Sequence, residues 1–192
     1  MKLYQKLPYS VTVNGKRYKI NPSFDRILEA VDVLGKEDWT DTQKISYLKW
    51  LLIKSRCDCP VDVINAIMEL LVQGDSSEPR TLDFAQDSDL IYAAFWQTYG
   101  IDLYEERGKL HWYKFSALLS ALPEDTRISE IIGIRMQNVP KATKYNQEQR
   151  NQIIRLKAKY RIKVSEKEKE EMYQKSMQRL AGILTNMAER GD

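Results

Sequence analysis

The chain has 192 residues, 43% of them apolar and 30% charged, with a formal net charge of +3 and two cysteines. That much apolar material fills a core and excludes a disordered chain, and the small net charge excludes a whole-molecule field that draws it to nucleic acid or to a membrane. The longest apolar run, Leu90 to Trp96, is too short to cross a bilayer, and no apolar stretch follows Met1 to Pro8 as in a secretory leader, so a protein that stays in the cytoplasm where it is made is expected.

The first element is a β-hairpin over residues 9–20. Tyr9, Val11 and Val13 alternate with polar residues, Asn14-Gly15 supplies a turn in which both residues accept positive φ, and Tyr18 and Ile20 continue the alternation. After Pro22 the period becomes helical. Phe24, Ile27, Leu28, Val31 and Leu34 form the expected buried stripe of the first helix, capped by Asn21 or Ser23 and stopped by Gly35. Asp41 is the expected cap of a second helix with Ile45, Leu48, Leu51 and Leu52 inside. Pro60 opens a third, carrying Val63, Ile64, Ile67, Met68 and Leu71.

The polar stretch Gln73 to Arg80 reads as a loop within one helical bundle. A fourth helix runs from Asp87 or Ser88 to Tyr99, with Ile91, Tyr92, Phe95, Trp96 and Tyr99 on one arc and Gly100 as its stop. A fifth starts near Trp112 and carries Phe115, Leu118, Leu119 and Leu122 up to Pro123. A sixth carries Ile128, Ile131, Ile132 and Met136. Composition changes at Pro140. Residues 1–140 hold 17 Lys and Arg against 20 Asp and Glu, and residues 141–192 hold 13 against 7. The fold class expected is therefore mainly α: a helical bundle with an N-terminal β-hairpin (domain 1–140), followed by a basic helical extension (141–192). That extension has a helix over Asn146 to Tyr160 and a last one capped by Ser165 and Glu168.

No catalytic constellation emerges. His111 is the only histidine and has no nucleophile elbow nearby, so a structural or solvated role is expected for it. The eight glycines are not grouped as in a phosphate loop. Asp83, Asp87 and Asp89 lack the spacing of a calcium loop and read as helix caps. Cys57 and Cys59 lack the further ligands of a zinc site and read as reduced thiols near a helix end. No metal, no cofactor and no enzymatic activity are expected. Arg135 projects inside the apolar stripe of its helix. Either it is buried and paired, with Asp102, Asp125 or Asp89 as partner, or it reaches solvent at the stripe edge. Its role is structural in both cases.

Residues 92–115 hold eight of the nineteen aromatics, more than two short helices easily hide. Trp96 and Tyr113 lie at stripe edges and are the residues expected to be exposed as anchors for a protein partner. The basic extension reads in three ways. Glutamates interleave its lysines from Glu166 to Glu171, as on a solvated face. Tyr173, Met177, Leu180, Leu184 and Met187 recur in steps of four and three, a short seam for a second copy or another helix. Nucleic-acid binding ranks below that pairing, because no zinc finger or RNA-binding motif accompanies the charges.

The stretches DSDLIYAAFWQTYGIDL, from Asp87, and LHWYKFSALLSALPEDTRISEIIGIR, from Leu110, resemble the bacteriophage gene-product-fifteen family of Gram-positive phages and prophages. The specific likeness runs from Asp83 to about Arg135; the earlier helices are similar in order and length, and the part beyond Pro140 only in character. The resemblance implies no defined activity and no defined site residues. Its genes lie typically between those for the major tail tube protein and the tape-measure protein, the usual position of tail assembly chaperones. It thus implies a chaperone that binds the tape-measure protein, the major tail protein or both. A structural tail component, or a nucleic-acid-binding protein using the basic extension, is the alternative.

Overall fold

In a computed structural model, residues 4–71 and 81–163 are described. The seam Tyr173, Met177, Leu180, Leu184 and Met187, the cap at Ser165 and Glu168 and the whole polar loop 73–80 lie outside the described residues. The chain divides into two compact units, Met1–Asn138 and Val139–Asp192.

The first unit is a helical bundle with a hairpin on it. Strands β1 (Ser10–Val13) and β2 (Lys16–Lys19) pair antiparallel with Val11 opposite Tyr18. Asn14 and Gly15 take φ of 50° and 74°, the left-handed values that the tight turn demands and that this pair tolerates. Val11, Tyr18 and Ile20 are buried, while Tyr9 is 56% exposed. A lone hairpin is marginal in water, and this one is held by its neighbours. β1 packs on helix α3 (Pro60–Leu71), and the chain beyond β2 bonds to the end of α2 (Asp41–Leu52) through Asn21 N–H to Leu52 O at 2.8 Å.

Helix α1 (Phe24–Gly35) buries Phe24, Ile27, Ala30 and Val33. Val31 and Leu34, expected inside, are 39% and 44% exposed. Two helical lines share Phe24 and Ile27; side-chain hydropathy favours the one through Val31, and packing takes the one through the small Ala30 and Val33. The cap residue is Ser23, and its side chain makes no capping bond. In α2 the cap is Thr40, one residue before the expected Asp41. Thr40 and Gln43 close a reciprocal capping box, which satisfies two otherwise free backbone donors.

Helices α4 (Ser88–Tyr99), α5 (Trp112–Ser120) and α6 (Arg127–Met136) complete the unit. Gly100 ends α4 at φ 65°. Met136, expected in the stripe of α6, is the last residue of that helix and is 63% exposed. At the centre stands Phe115, fully buried. Its ring stacks on Phe24 at 4.8 Å, on Phe95 at 5.2 Å and on Trp112 at 5.6 Å, and Phe84 tilts against it at 6.3 Å. One side chain thus joins α1, α4 and α5.

The second unit contains helix α7 (Gln147–Lys159), whose single buried residue is Ile153. No described helix is long and apolar enough to cross a membrane.

Phe115→Ala removes the ring shared by three helices and leaves a cavity. It is expected to cost about 3–5 kcal/mol, read as a lowered urea midpoint, with the slope unchanged if the native state stays compact.

Candidate functional site: an aromatic face on the helical body

Helix α4 is placed at its start by one ion pair between residues far apart in the chain: Asp87 precedes its first turn, and Arg135 comes 48 residues later, in the last turn of α6. Arg135 donates to both Asp87 carboxylate oxygens, at 2.6 and 2.9 Å, and to Thr81 O at 3.0 Å. The side chains are 7% and 2% exposed. Asp87 also accepts from Asp83 N–H at 3.0 Å. The arginine is buried and paired, but its partner is none of the three expected acids. Asp89 and Asp125 face solvent. Asp102 caps its own turn, accepting from Tyr104 N–H at 2.8 Å. Asp87 stands at the capping position of α4 without a side-chain capping bond, because its carboxylate turns inward to the guanidinium. Asp83 does serve a local turn, accepting from Ala85 and Gln86 N–H.

So anchored, α4 presents Tyr92 and Trp96, one turn apart, on one side. Trp96 is 53% exposed, in the position expected of a partner anchor. The turn that follows α4 brings Tyr104 against Tyr92, with ring centroids 5.1 Å apart, and leaves Tyr104 67% exposed. That turn is pinned twice, by Asp102 at Tyr104 and by Asp25, which accepts from Gly108 N–H at 2.9 Å. Gly108 has φ 74°, a value a side chain would strain. Burial, and then the nearby Asp102 carboxylate, push the Tyr92 phenol above its ordinary pKa, so the ring stays neutral. Beside the two tyrosines a cavity of about 220 Å³ opens to solvent. Its floor is Phe24, Leu28, Phe84, Ile91, Leu103 and Phe115, and Asp25, Ser88 and Arg107 stand at its rim. The face is apolar with a few polar groups around it, as protein-binding anchors are.

Tyr113, the other expected anchor, is not on this face. Its hydroxyl donates to Leu70 O at 2.6 Å and its ring stacks on His111 at 5.5 Å, so it is half-buried and occupied inside the unit. A position at the edge of a helical stripe leaves a tyrosine free to bond either water or a backbone carbonyl, and the end of α3 supplies the carbonyl. A second aromatic patch was missed by a reading centred on residues 92–115. Trp39, Tyr47 and Trp50 stand in edge-on and tilted contact at 5.4 and 5.5 Å, and Trp50 is 67% exposed. Lys36 lies over Trp39 and Arg26 over Trp50. The signal was available: Trp50 falls off the Leu48, Leu51 and Leu52 stripe of α2.

His111 is 2% exposed and caps α5. Nδ1 accepts from Tyr113 N–H at 3.1 Å, and Nε2 lies 3.0 Å from Pro8 O. An acceptor at Nδ1 and a carbonyl at Nε2 define the neutral tautomer carrying its proton on Nε2. Burial pushes its pKa below the ordinary 6.5, and Lys114 adds to the effect. The residue joins the N-terminal segment to the start of α5, where Trp112 N–H also donates to Pro22 O at 2.7 Å. Cys57 and Cys59 are free thiols, with Cys59 Sγ 3.4 Å from the Tyr18 hydroxyl. Among the described residues no group of three or more histidine, cysteine or acidic side chains is placed to hold a metal ion.

The family model described as Bacteriophage Gp15 protein matches residues 3–162. The match reaches well beyond the stretch Asp83 to Arg135, taking in the hairpin at one end and α7 at the other. No curated protein and no solved structure matches the chain.

Arg135→Met leaves the Asp87 carboxylate buried without its partner and is expected to destabilise by about 3–5 kcal/mol. Adding Asp87→Leu should recover a large part of that loss in urea unfolding, whereas additive losses from the two changes would contradict the pairing. For His111 the unfolded chain takes up a proton near pH 6.5 and the folded chain does not. Stability is then fully present above about pH 6.5 and falls as the pH drops from there toward the lowered folded pKa, by up to about 1.4 kcal/mol per pH unit. His111→Asn can still cap α5 but does not titrate, and its stability should be flatter across that window in unfolding curves at pH 7.5 and 5.5.

Proposed function

The chain belongs to the Bacteriophage Gp15 protein family, and from that premise we propose that it is a tail assembly chaperone that binds the tape-measure protein, the major tail protein or both before they enter the tail. On this reading it acts by binding and carries out no reaction. The observation that supports the reading is the face of Tyr92, Tyr104 and, one turn along α4, Trp96, with an open apolar cavity beside the two tyrosines. A tape measure is long and helical, and its apolar faces have no cover until the tube polymerises around them. An exposed tryptophan, with an exposed tyrosine beside an apolar cavity, fits such a helix, which offers side chains at intervals of three and four residues. Release during polymerisation requires modest affinity per copy, and several copies along one tape retain it by avidity.

The test is a pull-down of the tagged full-length chain from phage-producing cells, read by mass spectrometry. The expected result is capture of the tape-measure or major tail protein, with this chain absent from purified tails. Its presence there in fixed stoichiometry would make it a structural tail component. The double variant Trp96→Ala/Tyr104→Ala should reduce capture at least about 10-fold, the effect of losing one or two aromatic anchors. Undiminished capture, with loss on Trp50→Ala, would move the binding face to α2.

A further inference from the structure

Residues 139–163, the described part of the second unit, hold eight lysines and arginines and one acid, Glu148. The glutamates that dilute the positive charge later in the extension begin only at Glu166. Six of the eight cations are exposed. Two of them, Arg155 and Lys159, have no acid three or four residues away along the chain. Three and four residues after Glu148 stand Asn151 and Gln152, so the one acid has no cation at helical ion-pair spacing ahead of it. Arg155 and Lys159 are themselves four apart, a like-charge spacing that weakens a helix. The helix dipole favours Lys157 and Lys159 in the last turn of α7, but it disfavours Lys144, which lies just before the first. A polyanion laid along the unit relieves all of these at once.

The turn before α7 adds an aromatic ring to the charge. Asn146 accepts from Thr143 N–H at 2.8 Å and donates to Lys141 O at 3.0 Å, closing residues 141–146 into a compact turn. Tyr145 projects from that turn, 94% exposed and next to Lys144. Cations at close intervals around an open tyrosine are the elements of a surface that holds a phosphate backbone and stacks a base. An acidic protein segment satisfies the charges but gives the ring no comparable partner. We infer that the segment around α7 binds single-stranded nucleic acid, with phosphates on Lys141, Lys144, Arg155 and Lys159 and a base on Tyr145. This site is separate from the aromatic face of the first unit, and its test does not depend on the tail-assembly reading.

The experiment is fluorescence anisotropy of the full-length chain with a labelled mixed-sequence single-stranded DNA 20-mer, and with RNA of the same sequence. With four to six phosphates neutralised, affinity should fall roughly 50- to 300-fold between 50 and 200 mM salt. Lys141→Glu/Lys144→Glu/Arg155→Glu/Lys159→Glu, with helix content checked by circular dichroism, should abolish binding. Tyr145→Ala should weaken it at least about 5-fold, and Tyr145→Phe should not. Absence of binding at 50 mM salt would overturn the inference, as would binding unchanged by the four-residue reversal. Polyglutamate of equal charge competing as well as DNA, with Tyr145→Ala binding normally, would overturn it in favour of an acidic protein partner.

Discussion

The arrangement of the helical body turns on one desolvated ion pair. A guanidinium and a carboxylate removed from water together are tolerable only with good geometry, and here both Asp87 oxygens face Arg135 at hydrogen-bonding distance. The pair also gathers the backbone around it, through Thr81 O and Asp83 N–H. It therefore fixes where the chain enters α4 and ties that point to the last turn of α6. Hydrophobic contacts between the two helices are non-directional and admit several registers; a bidentate pair admits one.

From that fixed start the rest of α4 follows. Phe95 and Ile91 point into the core, Phe95 onto Phe115, and the adjoining side carries Tyr92 and Trp96 toward solvent. The outward side stays ordered because the next turn is tied down at Asp102 and at Asp25. An exposed aromatic is useful for binding when little rotamer freedom remains to be lost, and Tyr104 against Tyr92 meets that condition. His111 acts similarly at the other end of the same layer: a neutral imidazole holds the N-terminal segment and the start of α5 with one acceptor and one donor.

The two units follow different chemistry. The body hides most of its rings and gathers its exposed ones in patches beside apolar ground. The described part of the extension hides one isoleucine of α7 and exposes six lysines and arginines against one acid, Glu148. One surface suits an apolar helix and the other a polyanion.

Local pattern in the sequence is enough to determine the hairpin, its Asn14-Gly15 turn, the seven described helices in their order, the stop at Gly100 and the outward position of Trp96. Each follows from steric and periodic rules acting within a few residues. It also required that a buried Arg135 have a partner, since an unpaired charge inside is too costly. What it left open were choices between equivalent local solutions. Ala30 against Val31, Thr40 against Asp41, a free Tyr113 against one bonded to Leu70 O, and Asp87 against three other acids were decided by groups distant in the chain. Only the tertiary structure brings those groups within reach, because hydrogen bonds and ion pairs act over a few ångströms of space and are indifferent to separation along the sequence.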